Sequence, residues 1–191
     1  MKFPWMAAAF TAALMVNTAA RADDAHVAPV TEYVKSQVMT WINDPVIINA
    51  VKAQDAKNAS ISQADIDALD KKWRAEVEQS AKPTIDAVLS NDASKFLQDK
   101  KTAAKGVITE IFVMDDKGLN VAQSDATSDY WQGDEAKFQK SYGVGPDALF
   151  VDAAEKDEST QKFQAQASFT LKDETGKPIG AVTVGVSLDD L

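Results

Sequence analysis

The chain has 191 residues, a formal net charge of −9 at pH 7 and no cysteine. This length suits one domain with a proper core, and the lack of cysteine excludes disulfides, thiol nucleophiles and zinc–thiolate sites. The excess of acidic residues disfavours nucleic acid and anionic membrane surfaces, so we expect no nucleic-acid partner.

Residues 1–22 have the pattern of a secretory signal peptide. Lys2 precedes an apolar segment at 6–16, and Ala20 and Ala22 form an A-x-A cleavage site. The apolar segment is shorter than the ~20 residues that a membrane span needs. We therefore predict export to the periplasm with cleavage after residue 22. An uncleaved N-terminal anchor is the alternative.

The region 23–106 is predicted to be helical. Apolar residues at helical spacing predict a long first helix that ends near Asn43, and Asp44 followed by Pro45 begins the second helix. The apolar stripe of the first helix is wide enough to permit a homodimer through that helix.

The second half of this region contains three further helical segments. Ser62 is the predicted N-cap of a third helix, and Pro83 breaks or kinks it because proline lacks the backbone N–H. Shorter helical segments are predicted at 84–90 and 93–101.

The region 107–191 is predicted to form an antiparallel sheet. The segment 107–114 is apolar on both alternating faces, which is typical of a central strand with cover on each side. A turn at Gly118 leads into a second strand at 119–122. The remaining predicted elements are a helix at 134–142, a charged connection at 154–160, and strands at 149–151, 163–171 and 179–188.

Three segments together resemble a Cache domain, the PAS-like extracytoplasmic sensor domain of bacterial chemoreceptors, kinases and cyclases. The segments are IFVMDDKGLNVAQS, SDYWQGDEAKFQKSY and FTLKDETGKPIGAVTVGVSLDDL. The resemblance covers 107–191 and is to the free-standing, single-Cache type. It implies an α+β fold, with N-terminal helices packed on a PAS-like antiparallel sheet of about five strands. It also implies a ligand pocket on the concave face of that sheet.

Four residues form the main ligand-binding candidate: Tyr130, Trp131, Gln132 and Lys137. As a lid, the two aromatic rings would pack an organic ligand while Gln132 or Lys137 binds its carboxylate. The alternative is that the rings close the open end of the sheet and only contribute packing.

A second candidate group lies on the predicted strands. Gln166, with Gln164 and Ser168 on the same polar strand face, could form the pocket floor. Facing residues would be Phe112, Phe150 and Asp152. The alternative is a solvated outer face, the ordinary arrangement for an antiparallel strand.

The ligand class follows from these side chains. Aromatic walls with an amide and a lysine favour a carboxylate or an amino acid. An amine is possible if Asp129, Asp134 or Asp152 faces the pocket.

No catalytic residue, metal site or cofactor is predicted. His26 is the only histidine, and it lies near the predicted mature N-terminus. The clustered carboxylates fit no calcium-loop pattern, and no phosphate-binding loop or nucleophile elbow is present. An acid-dependent glycosidic hydrolase is the remaining enzymatic alternative, since paired carboxylates suffice for that reaction.

We therefore expect a periplasmic, non-catalytic sensor module that binds a small ligand. No second apolar segment of spanning length follows residue 22, and the sequence stops just after the last predicted strand. We accordingly expect the ligand-bound state to be presented to a separate membrane receptor or kinase. The alternative is a periplasmic protein-interaction module without a small ligand.

Overall fold

The computed structural model describes residues 25–156 and 163–191. The predicted signal peptide at 1–22 and part of the predicted connection at 154–160 lie outside the described residues. The helices are α1 (Val27–Ser36), α2 (Pro45–Lys57), α3 (Gln63–Val77), α4 (Pro83–Leu89), α5 (Asp92–Ala103) and α6 (Ala136–Gln139). The strands are β1 (Ile108–Met114), β2 (Asn120–Gln123), β3 (Leu149–Val151), β4 (Glu155–Lys156), β5 (Phe163–Lys172) and β6 (Pro178–Ser187).

The strands form one antiparallel sheet in the order β2-β1-β6-β5-β3, and the short β4 also pairs with β5. The predicted α+β class, with N-terminal helices followed by a sheet, is confirmed. β1 lies between β2 and β6, as its two apolar faces predict. Sequence analysis missed β4 as a strand because its two residues are exposed and charged.

The main core lies between the sheet and helices α1, α2 and α5. Val30, Val34 and Val51 of the helices are fully buried against Val113 and Val184 of the sheet. The two predicted regions, 23–106 and 107–191, therefore contribute to the same core. Their status as separate domains stays a prediction.

The predicted helix starts are present at Asp44 and Ser62. The Asp44 carboxylate accepts a hydrogen bond from Val46 N at 2.9 Å, and Pro45 occupies the first turn of α2. Ser62 Oγ accepts from Asp65 N at 3.2 Å. These bonds satisfy backbone donors that lack a partner within the helix.

The long first helix ending near Asn43 is a wrong prediction. α1 ends at Ser36 and is followed by a 3₁₀ turn at Val38–Thr40. Thr40 Oγ1 donates to Gln37 O at 2.5 Å, a local bond that competes with helix continuation. The apolar spacing misleads here because the tighter turn still buries Val38 completely.

The predicted helix at 134–142 is likewise too long. α6 has only four residues, and turns continue the segment towards Gly143. Ser141 Oγ bonds to Lys137 O and gives the backbone a local alternative to further helix.

Asp115 joins the β1–β2 turn to α2. Its side chain is fully buried. Oδ1 accepts from Lys117 N and Leu119 N, both at 2.9 Å, and Oδ2 accepts from Gln54 Nε2 and Asn58 Nδ2, both at 3.0 Å. We expect Asp115→Ala to lower the free energy of unfolding by about 3 kcal/mol, because four donors lose their acceptor and two of these bonds are buried.

Urea unfolding measures this change, with Asp116→Ala as the matched control. Asp116 is half-buried and its carboxylate makes a surface ion pair with Lys117 at 3.2 Å, so the control should lose less than about 1 kcal/mol. Equal losses in the two variants would contradict the role given to Asp115.

Asp55 of α2 contacts the same turn and gives a pH-dependent prediction. Burial, together with the charges of Asp116 and Asp115, raises the pKa of Asp55 from 3.8 to about 6, although a hydrogen bond from Asp116 N opposes the shift. Because the folded state holds this proton more tightly, Asp55 contributes stability below about pH 4. That contribution is lost as the pH rises through about 6.

We therefore expect Asp55→Asn to stabilise the fold at pH 7.5 by about 1 kcal/mol, after allowance for screening at a half-exposed site. The amide oxygen can still accept from Asp116 N, so the two proteins should be equally stable at pH 4. Melting temperatures at both pH values measure the effect. The exposed substitution Asp67→Asn, which should change nothing, is the control; a gain that is the same at both pH values would contradict the prediction.

Candidate ligand site on the outer face of the sheet

The sheet face turned away from the main core, here called the outer face, is covered. Ser168 and Thr183 project from it and are fully buried. The rings of Phe138 and Tyr142 come from the segment between β2 and β3. They pack against Phe112 and its neighbours in a second apolar cluster. The solvated-face alternative therefore does not describe this part of the sheet.

Strand pairing brings several predicted residues together on this face. Phe150 pairs with Ser168, Ser168 with Thr183, and Thr183 with Phe112, so these four residues form one lateral row. In the next row Gln166 pairs with Gly185, and Asp152 N donates to Gln166 O at 2.8 Å. Five of the predicted residues thus share two adjacent rows: Phe112, Phe150, Asp152, Gln166 and Ser168.

A pocket of about 260 Å³ opens at one end of these rows. Its lining consists of Glu135, Lys137, Asp152, Ala153, Glu155, Gln164 and Gln166. The structure therefore brings the predicted Lys137, Asp152, Gln164 and Gln166 into one site, which we call the sheet pocket. Its lining carries three carboxylates, one ammonium group and two amides.

Lys137 is held in place on two sides. Its Nζ lies 2.8 Å from Glu135 Oε2 and 5.4 Å from the centroid of the Phe112 ring. The lysine side chain is only 17% exposed. The cation therefore has a fixed position at the pocket wall, and its charge is already balanced by Glu135.

Gly185 allows a bond across the floor of the pocket. Gln166 Nε2 donates to Glu110 Oε1 at 2.7 Å, and both residues pair with Gly185 on opposite sides. A Cβ atom at position 185 would lie 2.8 Å from Glu110 Cγ and closer still to Thr109 Oγ1. The small residue is needed because the two flanking side chains meet above it.

A chain of polar contacts leads from the pocket into the interior. Burial raises the pKa of the Glu135 carboxyl, and the neighbouring Asp129 raises it further, although Lys137 opposes the shift. Asp129 is nearly buried and accepts hydrogen bonds from Gln132 Nε2 and, at 3.2 Å, from Arg74 of α3. The predicted Gln132 therefore contacts the pocket through Asp129 and Glu135.

Tyr130 and Trp131 are placed differently from the other predicted residues. Tyr130 stacks on Trp73 of α3 with ring centroids 5.2 Å apart, and burial, together with the charge of Asp115, raises the pKa of its phenol to about 12. Trp131 Nε1 donates to Lys117 O at 2.8 Å. Neither ring is part of the sheet-pocket lining, and their role in ligand binding stays a prediction.

The two predicted phenylalanines lie beneath lysines. Phe112 supports Lys137, and the ring of Phe150 lies 4.3 Å from Lys140 Nζ. Both belong to the outer face beside the sheet pocket rather than to its lining.

Sequence reasoning missed Glu155, which lines the pocket, and Glu110, which accepts a hydrogen bond from the lining residue Gln166. Alternation alone places Glu110 on the same face of β1 as Phe112, so the face of Glu110 could be predicted from the sequence. Its contact with Gln166 depends on the register of three strands, which a single sequence does not determine.

His26 contacts the backbone of Asp152, the residue just after β3. Its Nε2 lies 2.8 Å from Asp152 O, so the start of α1 is attached beside the sheet pocket. Within 25–156 and 163–191, no group of three or more histidine, aspartate or glutamate side chains is arranged to hold a metal ion.

Comparison with known proteins gives similarity at the level of solved structures only. No family model matches the chain, and no curated protein matches it. The sensor domain of the histidine kinase DctB from V. cholerae is similar with a TM-score of 0.48 and 13% identity, over 86% of this chain and 51% of that one.

Chemoreceptor domains give lower scores. The ligand-binding domain of Campylobacter jejuni Tlp3, in complex with 4-methylisoleucine, has a TM-score of 0.38 and 11% identity, over 83% of this chain and 64% of that one. The domain of the Pseudomonas aeruginosa amino acid chemoreceptor PctC, in complex with GABA, has a TM-score of 0.37 and 12% identity, over 86% and 61%.

These solved domains are of the Cache type, the type that the sequence resembles. The assignment to the single-Cache type stays a prediction. The chain spans about half to two thirds of the length of these solved chains. Among the residues that the structure describes, no helix combines the length and apolar character needed to cross a membrane.

The contacts of Trp131 give a testable outcome. Because its indole bonds to the β1–β2 turn and lies outside the sheet pocket, we expect Trp131→Ala to lower the free energy of unfolding by about 3 kcal/mol. Stabilisation by a bound ligand, measured as the rise in melting temperature, should remain. Loss of the ligand-induced rise with unchanged basal stability would instead support the lid hypothesis.

Proposed function

We propose that the protein is a periplasmic sensor module that binds a small organic ammonium compound, such as an amino acid, in the sheet pocket. The observation that carries this proposal is the charge of the lining. Glu135, Asp152 and Glu155 face a single cation, Lys137, which is paired with Glu135. A second positive charge is therefore favoured there, and a simple carboxylate is disfavoured.

The size and polarity of the pocket agree with a ligand of amino-acid size. Its volume of about 260 Å³ lies just below the ~300 to 1,000 Å³ typical of pockets for drug-sized ligands. Asp152 and Glu155 supply acceptors for an ammonium group, and Lys137 supplies a donor for a carboxylate. This sharpens the expectation from sequence, which favoured a carboxylate or an amino acid over an amine.

Binding would reach the helices through Glu135. That carboxylate interacts with Asp129, which bonds to Arg74 at 3.2 Å, and Arg74 Nε donates to Asp70 Oδ2 at 2.6 Å. A ligand cation that attracts Glu135 would weaken its interaction with Asp129 and shift the position of α3. The mechanism is a shift between two conformations, which requires the ligand to bind one of them more tightly.

The remaining parts of the proposal concern location and partners. The pattern of residues 1–22 supports export to the periplasm. The bound state would be presented to a separate membrane receptor or kinase, and the module would have no catalytic activity of its own. The interaction-module alternative would be favoured if a pull-down recovered a stable protein partner and no class of small molecule bound to the protein.

The ligand proposal is tested by thermal shift of the full chain against amino acids, monoamines and monocarboxylates. At a hundred times its dissociation constant, a ligand adds about 2.7 kcal/mol, which raises the melting temperature by several degrees. We expect amino acids or amines to act, and simple carboxylates not to.

Asp152→Asn should abolish this rise, because it removes an acceptor charge at the pocket wall. The matched control is Asp134→Asn, since Asp134 is exposed and does not line the sheet pocket. A rise caused by carboxylates alone, or a full response in Asp152→Asn, would overturn the proposal.

A further inference from the structure

A second concave site lies apart from the sheet pocket. It is a groove of about 570 Å³ between α1 with the turn after it and the segment that leads into β3 and β5. Its lining shares no residue with the sheet pocket. The lining consists of Thr31, Lys35, Met39, Ile42, Asn43, 146–149, Phe169, Thr170 and Lys172. We call it the helix-side groove.

The floor of the helix-side groove is apolar. Met39 contributes from the 3₁₀ turn after α1 and Ile42 from the turn that follows it, and Leu149 and Phe169 contribute from adjacent strands. All four belong to the main core or pack against it, so the floor is rigid. A preformed apolar floor with a few polar groups at its rim is the usual construction of a small-molecule site.

The charges at the rim are positive on balance. Lys35 and Lys172 line the groove together with one acid, Asp147. Lys172 contacts Asp147 at 2.9 Å, but the Asp147 side chain is 89% exposed, so this pair is weak and easily exchanged. Lys35 is exposed and makes no ion pair with any residue in the described ranges. In a chain of net charge −9, this excess of positive charge is a local exception.

The groove continues into a neighbouring pocket of about 450 Å³, which shares Asn43 and Lys172 with it. That pocket adds Pro45 and Ile48 to the apolar surface. Its own lysine, Lys52, is bonded to Glu174 at 2.7 and 2.8 Å and so has a counter-ion. The two pockets thus form one elongated, partly apolar channel: Lys35 lies in the groove, Lys172 lies where the groove meets the second pocket, and the acids Asp173 and Glu174 line the far part beside Lys52.

We propose that the helix-side groove binds an amphiphilic monocarboxylate with an unbranched apolar chain. The carboxylate accepts hydrogen bonds from Lys35 and Lys172, and the chain lies over Met39, Leu149 and Phe169 towards Ile48. Charge complementarity decides the head group, because a cationic head would meet two lysines. The elongated shape of the channel favours an unbranched apolar chain.

Isothermal titration of the full chain with octanoate tests this site, with octanol and octylammonium as probes of the same chain length. We expect octanoate to bind at least about tenfold more tightly than either, because only a carboxylate gains charge-assisted hydrogen bonds. Hexanoate should bind more weakly, by up to roughly fourfold for each methylene removed.

The variants separate this site from a general surface effect. Lys35→Glu should weaken octanoate binding at least about tenfold, whereas Lys35→Arg, which keeps the charge, should retain it. The control is Lys71→Glu, which makes the same charge change at an exposed position of α3 that lines neither site. It should bind octanoate as the unchanged protein does.

Several outcomes would overturn the proposal. These are no binding of octanoate, equal binding of octanol, or an unchanged affinity in Lys35→Glu. Sedimentation with phosphatidylglycerol vesicles without binding of free octanoate would also overturn it, because the recognised anion would then be a lipid head group at a surface. The amine response of the sheet pocket is independent of all these results.

Discussion

The buried carboxylate of Asp115 is the interaction on which the arrangement of the site depends. It accepts four hydrogen bonds, two from the backbone of the β1–β2 turn and two from the amide side chains of Gln54 in α2 and of Asn58 at the C-cap of that helix. A charge in that position is stable only because each oxygen has two donors. These bonds fix the β1–β2 turn against the helical layer. The fixed turn positions residues 130–132, which lead into the segment that covers the outer face.

The cover is attached along the free edge of β2. Asn120 N donates to Tyr130 O at 3.0 Å, and Gln132 N donates to Gly118 O at 2.8 Å, so residues 130–132 extend the sheet by one short bridge. Asp70 of α3 adds a second attachment, because its Oδ1 accepts from Tyr130 N and Trp131 N at 2.8 and 3.1 Å.

Residues 130–132 are therefore anchored at both the turn and α3. A lid motion centred on Tyr130 and Trp131 would break these four hydrogen bonds and a fifth, from Trp131 Nε1 to Lys117 O. Under the proposed function, the part of the cover that responds to a ligand is further along the chain, where Glu135 and Lys137 contact each other and line the sheet pocket.

Much of the fold could be predicted from local patterns. β1 is apolar on both faces and is central, β5 alternates and carries one polar face, and Asp44 and Ser62 begin helices as caps. These features depend on near neighbours in the sequence. The extent of α1 could not be predicted, because helical spacing and a 3₁₀ turn bury Val38 equally well.

The candidate site was predictable only in part, for a geometric reason. The sequence predicts Lys137, Asp152 and Gln166 as polar side chains beside a sheet, and the three lie in one pocket. The direction of Tyr130 depends on Trp73, which is more than fifty positions earlier in the chain, and the bond between Gln166 and Glu110 depends on register across Gly185. Contacts of this kind are set by packing between distant segments, which no local pattern encodes.

The two sites have opposite local charge within one acidic molecule, and this separates the forces that act on their ligands. A net charge of −9 attracts cations over distances up to the Debye length of about 8–10 Å and repels anions over the same range. Under the proposed function, cation binding in the sheet pocket would therefore be assisted by the whole molecule and would weaken as salt is added. An anion at the helix-side groove must overcome that field before it reaches Lys35, so its binding depends on short-range hydrogen bonds and on the apolar floor. Added salt screens both the repulsion by the net charge and the attraction by the lysines. The contribution from burying the apolar chain of the ligand remains.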